Sequence, residues 1–456
     1  MKPEPGQHLE KALTRGGRQR PALERPGGGR PFPPLGWLVL FSLAGTDGAF
    51  AQGFLAPPPD EFEKPAAAQS SPVFQNGGIP PLISTGPEPT GPVQFGPLDV
   101  HPHFLYQFIY GDGVPAAPTN RVKTVIQEIS PGVSLIWGSH WTLDYTPTLI
   151  MYSSRAFGGS TDESVGLTGK AAYQDWNFKL SQSYNSSDAV LLQTEAQTLQ
   201  QTFSTGLTVS RQLGNLLSAQ LDLSQNIADS STIGLNQSVT AWSVSPGLNC
   251  QFMPQFGIGV NASAGYDLIS PGGNQTTEQI SGRMNFAPGK KLNLAASVGL
   301  EASQFSGTQV ITPIFSGSLT YRPWEQTAMS LGASRSVSPS LFQNEEIVTT
   351  SLSATLRQRF FGRFTLEGSV GYTTSPFIGL EAFSNANVTD FNGIPLTSLS
   401  EVTRQDTYRY ARASLGFALL KRGNASIFYQ ESDTSSGLSA IALTSNQVGF
   451  QLGYRF

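Results

Sequence analysis

The sequence predicts an all-β fold, an antiparallel transmembrane β-barrel of about 18 strands with short turns at one rim and long loops at the other. Three observations carry that prediction. Apolar and polar residues alternate along most of the chain beyond residue 100, so each segment has one greasy and one wet face. The connections between segments alternate short and long. No apolar run reaches the roughly 20 residues that a membrane helix needs.

Residues 1–51 read as an export signal with a long basic lead. Leu35 to Ala44 is an apolar segment of signal-peptide length, and Arg15, Arg18, Arg20, Arg25 and Arg30 give its positive flank. Ala49, Phe50 and Ala51 form a small-x-small cleavage pattern, which predicts a mature chain from Gln52. Residues 52–100 are rich in Pro, Gly and Ser and lack apolar periodicity. They read as a flexible periplasmic linker.

From His101 to Phe456 the chain divides into strand-length segments. They fall at 102–111, 123–137, 141–153, 165–174, 177–187, 199–212, 216–228, 237–251 and 256–268. The series continues at 275–287, 291–304, 309–322, 327–338, 346–360, 364–376, 404–420, 424–433 and 444–456. Short connections recur, among them Asp175–Trp176, Gly214–Asn215 and Gly362–Arg363. Between them lie longer polar ones, of which 377–403 is the longest and could fold inward as a constriction or cap the outer surface. Asp188 to Thr198 reads as an external loop with room for a helical turn or two.

Face assignments follow from parity. Along 256–266, Phe256, Ile258, Val260, Ala262, Ala264 and Tyr266 oppose Gly257, Gly259, Asn261, Ser263 and Gly265. The last segment repeats the rule, with Val448, Phe450, Leu452, Tyr454 and Phe456 on one face. Aromatics such as Trp137, Trp141, Tyr173, Phe178, Phe360 and Phe364 gather beside the short turns, where an interfacial girdle belongs. A weak repeat places Pro131, Pro246 and Pro313 on the lipid-facing parity. A bulge or locally broken pairing is expected at each, because proline lacks a ladder donor.

The proline-bearing strand, the tight turn after it and the strand Trp141 to Tyr152 resemble the β-barrel porin families of Gram-negative bacteria over about residues 101–456. Some members of those families accompany exopolysaccharide export systems. The resemblance implies residence in the bacterial outer membrane and a lipid bilayer as partner. It also implies a terminal strand whose Tyr454 and Phe456 are read by the barrel-insertion machinery. The implied activity is passive diffusion of ions or small hydrophilic solutes. Two alternatives stay open: a barrel serving polysaccharide export with periplasmic partners, and a structural or adhesive barrel without an open pore.

Composition narrows the chemistry. The chain has 456 residues, 13% of them charged, a net charge of −4 and a mean hydropathy of −0.15. A large basic surface for nucleic acid is not expected. A single cysteine, Cys250, excludes an internal disulfide. Four histidines exist; His8 lies in the signal, His140 in a short turn, and His101 and His103 flank the first strand. None is placed at the external rim, where the known barrel hydrolases carry theirs, so no enzyme activity is expected. His101 and His103 share a face, but no further Cys or His joins them, so no metal or cofactor is expected.

The wet parity carries the charges that matter. Glu128, Asp144, Asp222, Asp267, Glu301 and Glu367 fall on it, as do Lys170, Lys179, Arg283, Arg322, Arg357 and Arg359. Arg412 and Arg455 complete the set. Arg or Lys facing lipid at mid-depth would cost about 2–4 kcal/mol, which favours a lumen position. These charges either tune selectivity or simply pair and solvate the wall. Acids dominate the early strands and arginines the later ones, suggesting a field across the pore. Arg335 falls on the parity of Leu331 and Ala333, hinting at a one-residue slip there.

Overall fold

The computed structural model describes residues 93–112, 123–155, 157–191, 196–232, 235–270, 273–305, 308–339, 345–379, 405–419, 422–436 and 443–456. The export signal, most of the linker and the stretch 380–404 lie outside the described residues. Among the described residues, nineteen strands form one antiparallel sheet. They are β1 (Val93–Phe95), β2 (Leu98–Gly111), β3 (Thr124–Trp137), β4 (Trp141–Tyr152), β5 (Ser160–Tyr173), β6 (Trp176–Leu191) and β7 (Ala196–Gln212). Next come β8 (Leu217–Thr232), β9 (Leu235–Met253), β10 (Phe256–Ser270), β11 (Asn274–Phe286), β12 (Leu292–Phe305) and β13 (Thr308–Trp324). The last are β14 (Thr327–Pro339), β15 (Glu345–Phe360), β16 (Phe364–Gly379), β17 (Gln405–Leu419), β18 (Gly423–Ser436) and β19 (Leu443–Arg455).

Strands β2 to β19 pair each with the next, and β19 returns to β2, so 18 strands close into a barrel. Closure removes the unpaired edges that would be untenable in hydrocarbon. At the seam, Gln447 to Arg455 pair with Gly111 to His103. Below that seam the same edge of β2 is taken by β1, with Val93 opposite Val100 and Phe95 opposite Leu98. The hairpin turns at Gly96, whose φ of 61° suits glycine. The flexible-linker reading of 52–100 therefore ends too late: its last residues are strand, and the barrel begins at Leu98.

The outer surface is apolar, as a lipid-facing wall must be. Val298 is 69% exposed, Ile311 65%, and Val260, Ile427 and Leu352 each more than half. At the short-turn rim Trp137, Tyr173, Trp324, Phe360 and Phe364 are exposed together as a girdle. The tight turn between β5 and β6 places Gln174 at φ 54°, the left-handed conformation a two-residue hairpin demands.

The prolines interrupt pairing without shifting register. Between β9 and β10 the ladder skips Pro246, and between β3 and β4 it skips from Ile129 to Val133 around Pro131. Along β13 the pairs to β14 begin only at Phe315, past Pro313. All three rings sit exposed on the outer face. Arg335 stays in the outer register too, opposite Phe315 and Thr350, so no slip exists there. The helical expectation for 188–198 fails where it can be checked: β6 runs through Leu191 and β7 starts at Ala196.

Candidate functional site: the inner wall

The closed register carries one face around the whole ring, and small polar side chains line its inside. Ser224 and Ser243 share a hydrogen bond of 2.6 Å, and Ser297 and Ser316 one of 2.7 Å. Short hydroxyls pair across strands without filling the lumen.

Toward the short-turn rim the wall becomes charged. Asp222 accepts from Thr208 Oγ1 at 2.7 Å and from Gln220 Nε2 at 2.8 Å. Gln220 Oε1 in turn accepts from Arg283 Nη2 at 3.4 Å. Arg283 stands on β11 and Gln220 on β8, so the guanidinium spans the two strands between them. Glycines make that possible. A Cβ on Gly259 would lie 2.8 Å from Arg283 Nε and 2.9 Å from the Leu248 carbonyl, and one on Gly247 would lie 3.4 Å from Arg283 Nη2. Sequence parity placed Arg283, Asp222 and Gly259 on the inner face but could not reveal this chain of contacts. Only the register of four strands brings them together.

A second chain crosses the seam region. His103 Nε2 lies 2.9 Å from Thr146 Oγ1, which donates to Asp144 Oδ1 at 3.0 Å. The imidazole rests on Gly132 of β3, the strand between. His103 is thus part of the wall rather than a strand end, and its ladder partner is Arg455. Arg357 stands directly opposite Glu367, and Ser369 opposite Arg412, whose guanidinium lies 4.6 Å from the centre of the Phe428 ring. Lys170 and Lys179 face each other as a like-charge pair. Arg359 and Arg322 keep the inner parity near their turns.

Toward the long-loop rim the charges change sign. Glu128 and Asp267 keep the inner parity, and Glu301 lies within electrostatic reach of Asp267 and of Glu346. Three further acids belong here that sequence reasoning did not single out: Asp162, Asp406 and Glu346. Asp162 accepts from Ser187 Oγ at 2.9 Å and from the Asp188 amide at 3.1 Å. Asp406 is opposite Ser375 and buried. Asp162 was missed because β5 begins five residues earlier than its apolar alternation indicates.

Glu346 has the least local explanation. Its parity on β15 matches outward Leu352 and Leu356, yet Gln275 Nε2 of β11 donates to its Oε1 at 2.9 Å. Neighbouring strands lie about 4.8 Å apart, so the four steps from β11 to β15 separate these residues by roughly 19 Å along the wall. Two side chains cannot bridge that distance if both backbones stay in the wall. Glu346, Ile347 and Val348 are all buried, at 6%, 2% and 1%. Both faces of this strand end are covered, as expected where the start of β15 leans in over the lumen. A separate apolar cluster of Ile109, Ile126 and Phe428, with Ile150, Tyr152 and Phe157 against it, lies on the inner face. The Phe428 ring packs over Gly449.

Among the described residues no group of His, Cys, Asp and Glu side chains is arranged to hold a metal ion. No family model matches the chain, and no curated protein matches it. Solved structures are similar in outline. OpdK from Pseudomonas aeruginosa, an outer membrane protein, is 13% identical with a TM-score of 0.41, over 78% of this chain and 98% of that one. OccAB4 from Acinetobacter baumannii is 12% identical with a TM-score of 0.43, over 80% and 100%. OpdQ from Pseudomonas aeruginosa is 10% identical with a TM-score of 0.43, over 79% and 99%.

Proposed function

We propose that this chain is an outer-membrane channel through which ions or small hydrophilic solutes diffuse passively. One observation carries the reading: an 18-strand closed barrel with an apolar outer face and a polar, charged inner face. Side chains cannot fill a barrel of that strand number, so water occupies what they leave. The apolar exterior requires a bilayer, and a closed barrel meets the hydrogen-bond demand of one. The short turns would face the periplasm and the long loops the exterior.

In this reading the inner-wall charges tune which solutes pass, and the wall performs no chemistry on them. Tyr454 and Phe456 would serve insertion: they end the seam strand, their rings 4.8 Å apart, and the Phe456 amide donates to Pro102 O at 2.9 Å. The test is single-channel recording of the chain from Gln52 to Phe456 refolded into a planar bilayer. Stable, discrete current steps with a measurable cation-to-anion preference are expected. A correctly inserted barrel that stays silent under all applied voltages would overturn the reading.

A further inference from the structure

We infer that the pore is electrically bipolar along its axis, acidic toward the external mouth and basic toward the periplasmic mouth, and that it therefore rectifies ion current. This rests on the channel reading above and adds a direction to it. The relevant coordinate is a residue's distance from its strand's short-turn end. Lys170, Lys179, Arg283, Arg322, Arg357 and Arg359 lie within three residues of that end, and so does Arg455. Glu128, Asp162, Asp267, Glu301, Glu346 and Asp406 lie nine or more residues above it. No Lys or Arg on the inner parity joins those six acids among the described residues. The lower zone also holds Asp99, Asp144 and Glu367, which reduce its positive charge without reversing it. Asp222 and Arg412 lie between the zones.

The suggestion of a field across the pore, from early strands to late ones, gives way to a field along it. Six residues at about 3.4 Å each, on strands tilted by about 40°, separate the zones by roughly 15 Å. At 0.1 M salt the Debye length is about 10 Å, so each zone sets its own ion population. Cations accumulate in the external zone and anions in the periplasmic one. A positive external potential drives both populations toward the junction and raises conductance there. The opposite potential drains the junction and lowers it. The charge arrangement, not any moving part, makes the two directions unequal.

The same bilayer recordings test this with a change of salt. At pH 8 and about 0.1 M salt, the current ratio at opposite voltages of equal size is expected to reach about twofold or more. At about 1 M salt, where the Debye length falls to about 3 Å, the relation should straighten. Neutralising the external zone with E128Q and E301Q should bring the ratio toward one, and so should K170Q with K179Q in the other zone. Glu278 stands in the outer register opposite Ala264 and Ala302, and E278Q should leave the ratio unchanged. Open channels with a straight relation at 0.1 M would overturn the bipolar inference and leave the channel standing. The absence of any steps would overturn the channel reading, and this inference with it.

Discussion

Leu223 and Ser224 are neighbours on β8 that face opposite sides of the wall, so an arginine at each reads out the face assignment directly. Leu223 is 40% exposed on the outer face, between Leu207 and Val244. It lies six residues above Leu217. At about 3.4 Å per residue and a tilt of about 40°, that is roughly 15 Å, close to the middle of a lipid-facing band about 25 Å tall. L223R there should cost about 2–4 kcal/mol, or roughly 30- to 1,000-fold in the folding equilibrium. Ser224 faces inward, between Gly206 and Ser243. S224R loses the 2.6 Å bond to Ser243, worth about 1 kcal/mol, and gains solvent and a neighbouring Asp222. Equilibrium urea unfolding from lipid vesicles, followed by tryptophan fluorescence, measures both. The expected result is a loss at least about 1 kcal/mol larger for L223R, about fivefold in the folding equilibrium. Equal losses, or a larger one for S224R, would refute the assignment of outer and inner faces.

Two further outcomes are expected from the wall and the seam. G259V should lower the urea midpoint by the equivalent of about 1–3 kcal/mol, because its Cβ meets the Leu248 carbonyl and Arg283, whereas G282V, with open space at that position, should be tolerated. Deleting Phe456 removes one backbone bond to Pro102, worth about 1 kcal/mol, so refolding into detergent should change little. Assembly in living cells should slow much more if that residue is an insertion signal, and comparing the two rates separates recognition from stability.

The barrel was legible because its defining pattern is local. Alternation of period two needs only a few residues to show itself, and parity carried Asp222, Arg283 and Glu367 to the inner face without any knowledge of neighbours. Strand length was less legible. β5, β6, β7 and β8 extend three to five residues beyond their apolar alternation at the long-loop end, β5 and β8 into Ser, Thr, Asp and Glu. Above the bilayer neither face is greasy, so the alternation ends while the hydrogen-bonded ladder continues. Asp162 and the strand character of Asp188 were hidden for that reason. β1 was hidden differently: three residues are too few for a pattern, and its identity depends on the edge of β2 left free below the seam.

Glu346 shows where parity itself stops working. Counting in twos from Leu352 sends it to the outer face. The structure instead gives it Gln275, 71 residues away in sequence. Parity assumes a flat wall, whereas Glu346, still paired to Pro339 and Ile378, reaches Gln275 only if this part of the rim bends inward. An apolar pair of residues on opposite faces, Ile347 and Val348, immediately after an acid is what such an inward lean requires, since both faces then meet protein. The same exception matters for conduction, because a leaning strand end brings Glu346 to Gln275 on the wall of β11 and within electrostatic reach of Glu301. An acid placed there adds to the negative charge of the external zone. The axial asymmetry of the pore therefore rests partly on the one inner charge that the local sequence pattern assigns to the wrong face.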